Sequence, residues 1–299
     1  MEKTYQIFTD SCCDISKEDR AALGLDYVHM GLVVDGVEMR ADLNWEDYTP
    51  EEFYGWLSAG KNIHTTQISM DELMKRVRPV FEQGKDVIYL GCSSALTGSM
   101  NLFNLVKPDL EQEFPGRKMI GIDTLTASVT LGMLVLDAAK KKAEGLSINE
   151  LEDWVETHKF YYNQFATVDT LKYLKKSGRI KGLAAFFGDI AGVKPIFISD
   201  RKGNNFTTNK VRGTKASLDA LFNGVKDTLM KEHCSEVFIG QGMAMERAES
   251  LKKRIEDELN IPATITWIGP IVGTTCGPGI IATFCRGKEV TRYEGDDVK

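Results

Sequence analysis

Hydroxyl side chains cluster at Ser93, Ser94, Thr97 and Ser99, between two apolar stretches. The run before them, residues 87–90, predicts a buried strand, and the apolar spacing after them predicts a helix. In an open parallel sheet, ligands bind outside the carboxyl ends of the strands, and a helix N-terminus there offers unpaired N–H groups and partial positive charge. The cluster therefore fits an anion site with hydroxyl donors. The same residue types also serve as plain helix caps, and the residues alone leave both interpretations open.

A second pair of hydroxyls, Thr65 and Thr66, lies just before a predicted helix over 70–81. Ser69 with Glu72 fits a capping box that opens this helix. Two hydroxyl-rich turns in one presumed sheet domain suggest a shared polar end for a ligand. A third polar turn, residues 9–14, follows the first predicted strand and reads either as a helix cap or as another loop at the same edge.

The composition excludes several classes of protein. The chain has 299 residues, of which 42% are hydrophobic and 27% charged, with a net charge of -6. These values are those of an ordinary globular protein, and the length favours two domains. Because the net charge is acidic, nucleic-acid binding is not expected. The most apolar region, residues 127–139, is shorter than the ~20 residues that span a bilayer, so we expect no stable membrane insertion.

Localisation follows from the first residues and from the cysteines. The first ten residues already read as a strand and a turn, so we expect no signal peptide and a cytoplasmic protein. The six cysteines form no C-x-x-C pair and lie at no metal-ligand spacing from a histidine. We therefore expect reduced thiols, no metal site and no cofactor.

The order of elements predicts an α/β fold. Strands alternate with helices up to about residue 160, which indicates a doubly wound parallel sheet. Capping boxes at Thr49 and Ser147 open two of its helices, and Asp35-Gly36 marks a hairpin. After residue 160 a hairpin, a βαβ unit and a last strand predict a smaller C-terminal α/β domain. Residues 179–192 form an apolar, glycine-punctuated segment, and the tail 293–299 is expected to fray.

Short motifs recur in one order along nearly the whole chain. They are Thr9-Asp10-Ser11, Thr65-Thr66-Gln67, residues 93–99, residues 175–180, Lys194-Pro195, and Gly269-Pro270 followed by Gly277-Pro278-Gly279. Each is weak alone, but together they resemble the DegV family, whose best understood members are the fatty-acid-binding B subunits of bacterial fatty acid kinases.

The resemblance implies a domain over 1–160 with carboxylate-binding turns, and a domain over 161–299 that closes an apolar tunnel. One long-chain fatty acid would lie in the tunnel as a ligand of a non-enzymatic protein. Thr65 and Ser94 align best with the carboxylate-binding residues of the family, and Thr66 and Ser93 lie in the same turns. Arg179 matches a position implicated in docking a separate ATP-dependent kinase subunit, which phosphorylates the bound acid.

Two positions depart from the family pattern. Ile68 stands where many members have proline. Thr275 stands where many members have a histidine near the carboxylate, so at this position a hydroxyl would contact the head group. Binding can rest on hydroxyls, but the charge of a histidine is lost. A lipid carrier or sensor without a kinase partner is therefore the main alternative.

Elementary energetics are compatible with a fatty acid. Burying an acyl chain gains about 0.8 kcal/mol per methylene, or on the order of 12 kcal/mol for ~16 carbons before the costs of association. A buried carboxylate requires polar partners, which the hydroxyl turns supply.

Two enzyme classes compete with this interpretation. A serine hydrolase using Ser93 or Ser94 would need one of four histidines as its base (His29, His64, His158 and His233), and residues 91–95 lack the second glycine of G-x-S-x-G. A nucleotide enzyme would need a phosphate loop, but the chain has no G-x-x-x-x-G-K-[ST]. Met245 stands where a third glycine should follow Gly240 and Gly242.

Overall fold

The computed structural model describes residues 4–183 and 192–292. The chain divides into two compact units, one formed by Met1–Asn44 and Ile63–Lys159, the other by Trp45–Asn62 and Phe160–Lys299. The predicted glycine-punctuated segment 179–192 lies mostly outside the described residues, and the predicted frayed tail 293–299 lies wholly outside them.

The strands are β1 (Tyr5–Asp10), β2 (Asp26–Val28), β3 (Met30–Val34), β4 (Val37–Arg40), β5 (Ile63–Ile68), β6 (Asp86–Gly91), β7 (Met119–Asp123), β8 (Tyr162–Thr167), β9 (Ile180–Lys181), β10 (Val193–Ser199), β11 (Asn205–Arg212), β12 (Val237–Gln241), β13 (Ala263–Trp267) and β14 (Ile281–Arg286). The helices are α1 (Lys17–Leu23), α2 (Pro50–Ser58), α3 (Met70–Glu82), α4 (Ser99–Glu113), α5 (Ser128–Ala143), α6 (Ile148–His158), α7 (Lys172–Ser177), α8 (Thr214–Thr228), α9 (Met245–Leu259) and α10 (Pro270–Cys276).

The first unit contains the predicted parallel sheet. Its strand order is β2-β1-β6-β7, and all three pairs of neighbours are parallel. Helix α4 packs closely on it, because the ring of Tyr89 stacks on Phe103 with centroids 5.0 Å apart and Gly121 leaves room for the same ring. The prediction of a mixed α/β fold with a parallel sheet is confirmed.

A small antiparallel sheet, β4-β3-β5, also belongs to the first unit. Its hairpin turns at the predicted position, with φ of 50° at Asp35 and 86° at Gly36. Thr65 and Thr66 lie in β5, where they pair with Leu32 and Gly31. The prediction that these threonines form a turn is therefore wrong: the β-branched run 63–68 adopts the extended conformation that such residues favour, and β3 supplies its partner.

The second unit is built on a seven-stranded mixed sheet of order β13-β12-β14-β8-β10-β11-β9. The predicted hairpin, β10 with β11, is antiparallel, and the predicted βαβ unit joins the parallel strands β12 and β13 through α9. A smaller second domain was expected, whereas this sheet is the larger of the two main sheets.

The segment Trp45–Asn62 groups with the second unit, whereas the sequence places it in the N-terminal domain. Its helix α2 has the predicted capping box at Thr49. The grouping has a physical reason: the hydroxyl of Tyr54 donates to the carbonyl of Ile268 at 2.9 Å, and Phe53 lies against Gly273. Such contacts join residues far apart in sequence, which local patterns do not reveal.

The thiols and helix α5 are buried. All six cysteines are buried, and none of them forms a disulfide. Helix α5 is buried on most faces, as its apolar sequence predicts. None of the helices in the described part of the chain is both long and apolar enough to cross a bilayer.

Candidate functional site

The hydroxyl cluster lies in a turn, residues 92–98, between the fully buried strand β6 and helix α4. Gly98 is the N-cap of α4 and no side chain makes a cap hydrogen bond there. The nearest substitute is Thr97, whose hydroxyl accepts from the N–H of Ser99 at 3.4 Å. Plain capping therefore does not account for Ser93 and Ser94.

The backbone N–H groups of residues 92–97 in this turn all have acceptors. They donate as follows: Cys92 to Asp10, Ser93 to Thr126 O, Ser94 to Asp123, Ala95 to Ser93 Oγ, and both Leu96 and Thr97 to Ser93 O. The N–H groups of residues 92–97 are therefore already in use, and the unpaired N–H groups expected from the sequence are those of the helix N-terminus that follows. Only side-chain hydroxyls and the first turn of α4, whose N–H groups have no intrahelical acceptor, can supply donors.

Ser94 is exposed, whereas Ser93 is fully buried. The hydroxyl of Ser94 donates to Asp123 Oδ2 at 2.5 Å, and its N–H donates to Oδ1 of the same carboxyl group at 3.1 Å. Asp123 ends β7, the strand next to β6, and also accepts the N–H of Leu125. Sequence reasoning missed this residue, although a polar residue at the carboxyl end of a neighbouring parallel strand was a usable signal.

Asp10 supports the turn from within the unit. The residue is fully buried, and its two oxygens accept from Cys12 N at 2.9 Å, Cys92 N at 2.9 Å and the Tyr89 hydroxyl at 2.7 Å. Burial raises the pKa of the carboxyl group, against the opposing effect of these three donors. The Thr9-Asp10-Ser11 motif thus serves to join the ends of β1 and β6.

The end of β5 meets the hydroxyl turn. The N–H of Ile68 donates to Ser99 Oγ at 3.3 Å, and the hydroxyls of Ser99 and Thr97 lie 3.1 Å apart. Gln67 also lies against Gly98, where an added Cβ would be 2.0 Å from Gln67 Oε1. The structure therefore brings together the two stretches, 65–68 and 93–99, that the sequence singled out separately.

Within β5, Thr65 is half-buried and Thr66 is exposed. Helix α3 follows directly, and Ser69 caps it through its side chain. The predicted capping box is only half formed, because Glu72 turns its carboxylate to His29 at 2.8 Å and to Arg76 at 3.1 Å. These partners lower the pKa of Glu72 although burial opposes them.

Two predicted site residues belong to the second unit. Thr275 is half-buried near the end of α10, a helix that stops at Gly277 with φ of 76°. Arg179 is exposed after α7, and its guanidinium donates to the carbonyl of Ser177 at 2.5 Å. The roles predicted for both residues stay predictions.

Two of the four histidines contact residues outside the hydroxyl turn. The ring of His29 lies tilted by 56° against that of Tyr27, and His29 also contacts Glu72. His158 stacks on Trp154 and forms a hydrogen bond with its carbonyl. In the described part of the chain, the hydroxyl of Ser94 donates to Asp123 and not to a histidine. Within the same residues, no group of three or more His, Cys, Asp or Glu is placed to hold a metal ion.

Comparison with known proteins identifies the family. A family model described as "Uncharacterised protein, DegV family" matches residues 4–288. The DegV domain-containing protein CPE0026 of Clostridium perfringens is 31% identical over 286 residues, which cover 95% of this chain and 98% of the relative. A solved structure of a DegV family protein from Thermus thermophilus, described with fatty acid binding, is 25% identical with a TM-score of 0.82 and covers 96% of this chain and 100% of its own.

A stearic acid-binding protein from Eubacterium ventriosum shares the fold, with a TM-score of 0.84, 24% identity, and coverage of 95% of this chain and 98% of its own. The family model and the relative from Clostridium perfringens both extend over nearly the whole chain. This chain therefore belongs to the DegV family.

Proposed function

We propose that this protein binds one long-chain fatty acid and holds its carboxyl group with the hydroxyls of Thr65, Thr66, Ser93 and Ser94. The observation that carries the proposal is the hydrogen bond from Ile68 to Ser99, which joins the threonine-bearing strand β5 to the hydroxyl turn. Fatty acid binding described for the Thermus thermophilus family member supports the same ligand class. The protein acts as a binding protein, with no cofactor beyond the acid.

Hydroxyl groups suit this task for a physical reason. A carboxyl head group removed from water must regain hydrogen bonds, or its burial opposes binding. The acyl chain gains about 0.8 kcal/mol for each methylene it buries, so the affinity comes mainly from the chain and the head-group contacts fix its orientation.

Alanine variants test the head-group assignment. With hexadecanoic acid as the ligand, Thr65→Ala and Ser94→Ala should each weaken binding about fivefold or more, because a head-group atom left without its hydrogen-bond partner costs about 1–3 kcal/mol. Displacement of a fluorescent fatty acid measures the affinity. Thr157→Ala, which removes an exposed hydroxyl on α6, is the matched control and should bind like wild type.

Cys92→Ala separates ligand binding from support of the turn. This change alters a buried residue next to the hydroxyls and should weaken binding far less than Ser94→Ala. Equal effects of the two substitutions would mean that Ser94 only stabilises the turn, and the head-group assignment would be abandoned.

The finer proposal is that the bound acid is presented to a separate ATP-dependent kinase subunit that docks at Arg179. An exposed arginine suits a docking role because it offers five donors in a rigid fork. Formation of acyl phosphate with a purified fatty acid kinase subunit should fall with Arg179→Ala and persist with Arg212→Ala, an exposed control in the same unit. Equal rates for both variants would contradict the docking role.

A carrier or sensor without a kinase partner remains the second candidate. It is favoured by Thr275, which gives α10 a hydroxyl where a histidine would supply a cation. Two results together would assign the protein to this class. Wild type would bind hexadecanoic acid but yield no acyl phosphate with any kinase subunit tested, and Thr275→His would yield none either.

A further inference from the structure

Ser94 gives both of its hydrogen-bond donors to a single protein carboxyl group. Its N–H donates to Asp123 Oδ1 and its hydroxyl donates to Oδ2, at 3.1 and 2.5 Å. A serine hydroxyl carries one hydrogen and two lone pairs. Toward any further partner, Ser94 can therefore act only as an acceptor while this pair is intact.

The charged groups around Asp123 do not change the role of Ser94 as an acceptor. Lys159 Nζ lies 3.0 Å from the backbone carbonyl of Asp123, and its charge is paired with Glu156 at 2.7 Å. On the β6 side lies the buried Cys92 thiol, whose pKa is raised by its hydrogen bond with Cys12 and by burial. The first turn of α4, also packed on β7, carries no acidic residue.

The described hydrogen bonds and ion pairs therefore bring donors to the Asp123 carboxylate only from Ser94 and Leu125, and none of these donors is a cation. Since the N–H groups of residues 92–97 are also in use, an ionised ligand at Ser94 would meet a hydroxyl oxygen and a second carboxylate. Two carboxylates that share one site do not both ionise readily, because like charges disfavour each other.

We propose that Asp123 is a specificity-determining residue of the head-group site: it makes Ser94 an acceptor, so that the fatty acid is held as the protonated, uncharged carboxylic acid. This inference rests on the proposed fatty acid function and specifies the form of the ligand. The hydroxyl of the head group donates to Ser94 Oγ, and the hydroxyl of Ser94 continues to donate to Asp123 Oδ2. Binding of an ionised acid from solution then takes up one proton per ligand.

The same geometry extends the range of ligands. A long-chain alcohol has one hydroxyl hydrogen and no charge, so it fulfils the requirement at every pH. Hexadecan-1-ol should therefore bind with an affinity that does not change with pH. The affinity for hexadecanoic acid should fall about tenfold per pH unit once the free acid is ionised, because a proton must be recovered for each molecule bound.

The test compares these two ligands, delivered from cyclodextrin, between about pH 5 and 9, which spans the ionisation of carboxyl groups and leaves most other side chains unchanged. Wild type should show the falling profile for the acid and the flat profile for the alcohol. Asp123→Asn should flatten the acid profile and strengthen acid binding at the alkaline end. Asp153→Asn, an exposed change on α6, should reproduce the wild-type profile.

Each outcome decides a separate point. Failure of both ligands to bind wild type overturns the proposed function itself. Acid binding that is independent of pH, or stronger than alcohol binding at the alkaline end, overturns the role of Asp123 and leaves the fatty acid function standing. If the Asp123→Asn variant shows the same profiles as wild type, the role of Asp123 is likewise overturned and the fatty acid function stands. The wild-type profiles decide the charge of the ligand even where the Asn variant does not fold.

Discussion

Asp10→Asn tests how the buried carboxyl group supports the turn. Asp10 accepts three hydrogen bonds, from Cys12 N, Cys92 N and the Tyr89 hydroxyl. Asparagine keeps one carbonyl oxygen and replaces the other oxygen with an NH2 group, which only donates. In either amide orientation, one of the two backbone N–H groups loses its acceptor inside the unit.

The magnitude follows from that loss. A buried donor left without an acceptor costs about 1–3 kcal/mol, so the variant should lose that much free energy of unfolding at acidic pH. Burial raises the folded pKa of Asp10 above its usual value of 3.8. The stability that Asp10 contributes is therefore fully present below pH 3.8, the usual pKa, and is lost as the pH rises through the higher folded pKa. Asparagine does not titrate, so the gap between wild type and variant should narrow as the pH rises.

Urea denaturation at about pH 5 and about pH 8 measures the gap, and other titrating groups cancel because both proteins carry them. Asp153→Asn, on the exposed face of α6, is the matched control and should stay within about 0.5 kcal/mol of wild type. A gap that widens with rising pH would mean that the folded protein favours the ionised carboxylate, and the reasoning about burial would be refuted.

Three further predictions concern packing and thiols. Tyr54→Phe removes a hydroxyl that donates to a buried carbonyl and should lower the free energy of unfolding by about 1–3 kcal/mol in a denaturant titration. Gly121→Ala places a Cβ 2.4 Å from the ring of Phe103 and should destabilise the folded protein by about 1–3 kcal/mol. Its control, Gly55→Ala, lies in open space inside α2 and should stabilise the protein by about 0.5–1 kcal/mol. Equal shifts of the melting temperature in the two variants would contradict this reasoning. All six thiols are buried, and burial raises the pKa of Cys285 to about 12. Alkylation of the cysteines should therefore be slow in the native protein and should reach six thiols after denaturation. Rapid labelling of the native protein would contradict the burial.

Local signals predicted local structure well. The capping boxes at Thr49 and Ser147 and the hairpin at Asp35 depend on residues within a few positions of each other, so the sequence pattern contains the whole interaction. The alternation of strands and helices likewise predicted the parallel sheet, because each βα unit carries its own periodicity.

Long-range contacts account for what the pattern missed. Glu72 lies in the correct position for a capping box, but His29 and Arg76 recruit its carboxylate instead. The polar character of Thr65 suggested a turn, while the partner that makes it a strand, β3, lies far away in sequence. The pairing of Ser94 with Asp123 also depends on two strands becoming neighbours. Residue types alone therefore named the hydroxyls of the candidate site but not the carboxyl group that controls them.

The most direct test of the central claim is native mass spectrometry of the purified protein after incubation with hexadecanoic acid and removal of free lipid. Binding of one long-chain fatty acid predicts a single mass increase equal to one acid per chain, and Ser94→Ala should reduce the occupied fraction while Thr157→Ala should not. Extraction of the same sample and chromatography of the lipid identify the ligand. A protein that retains no stoichiometric fatty acid, whether added or carried through purification, would contradict the account.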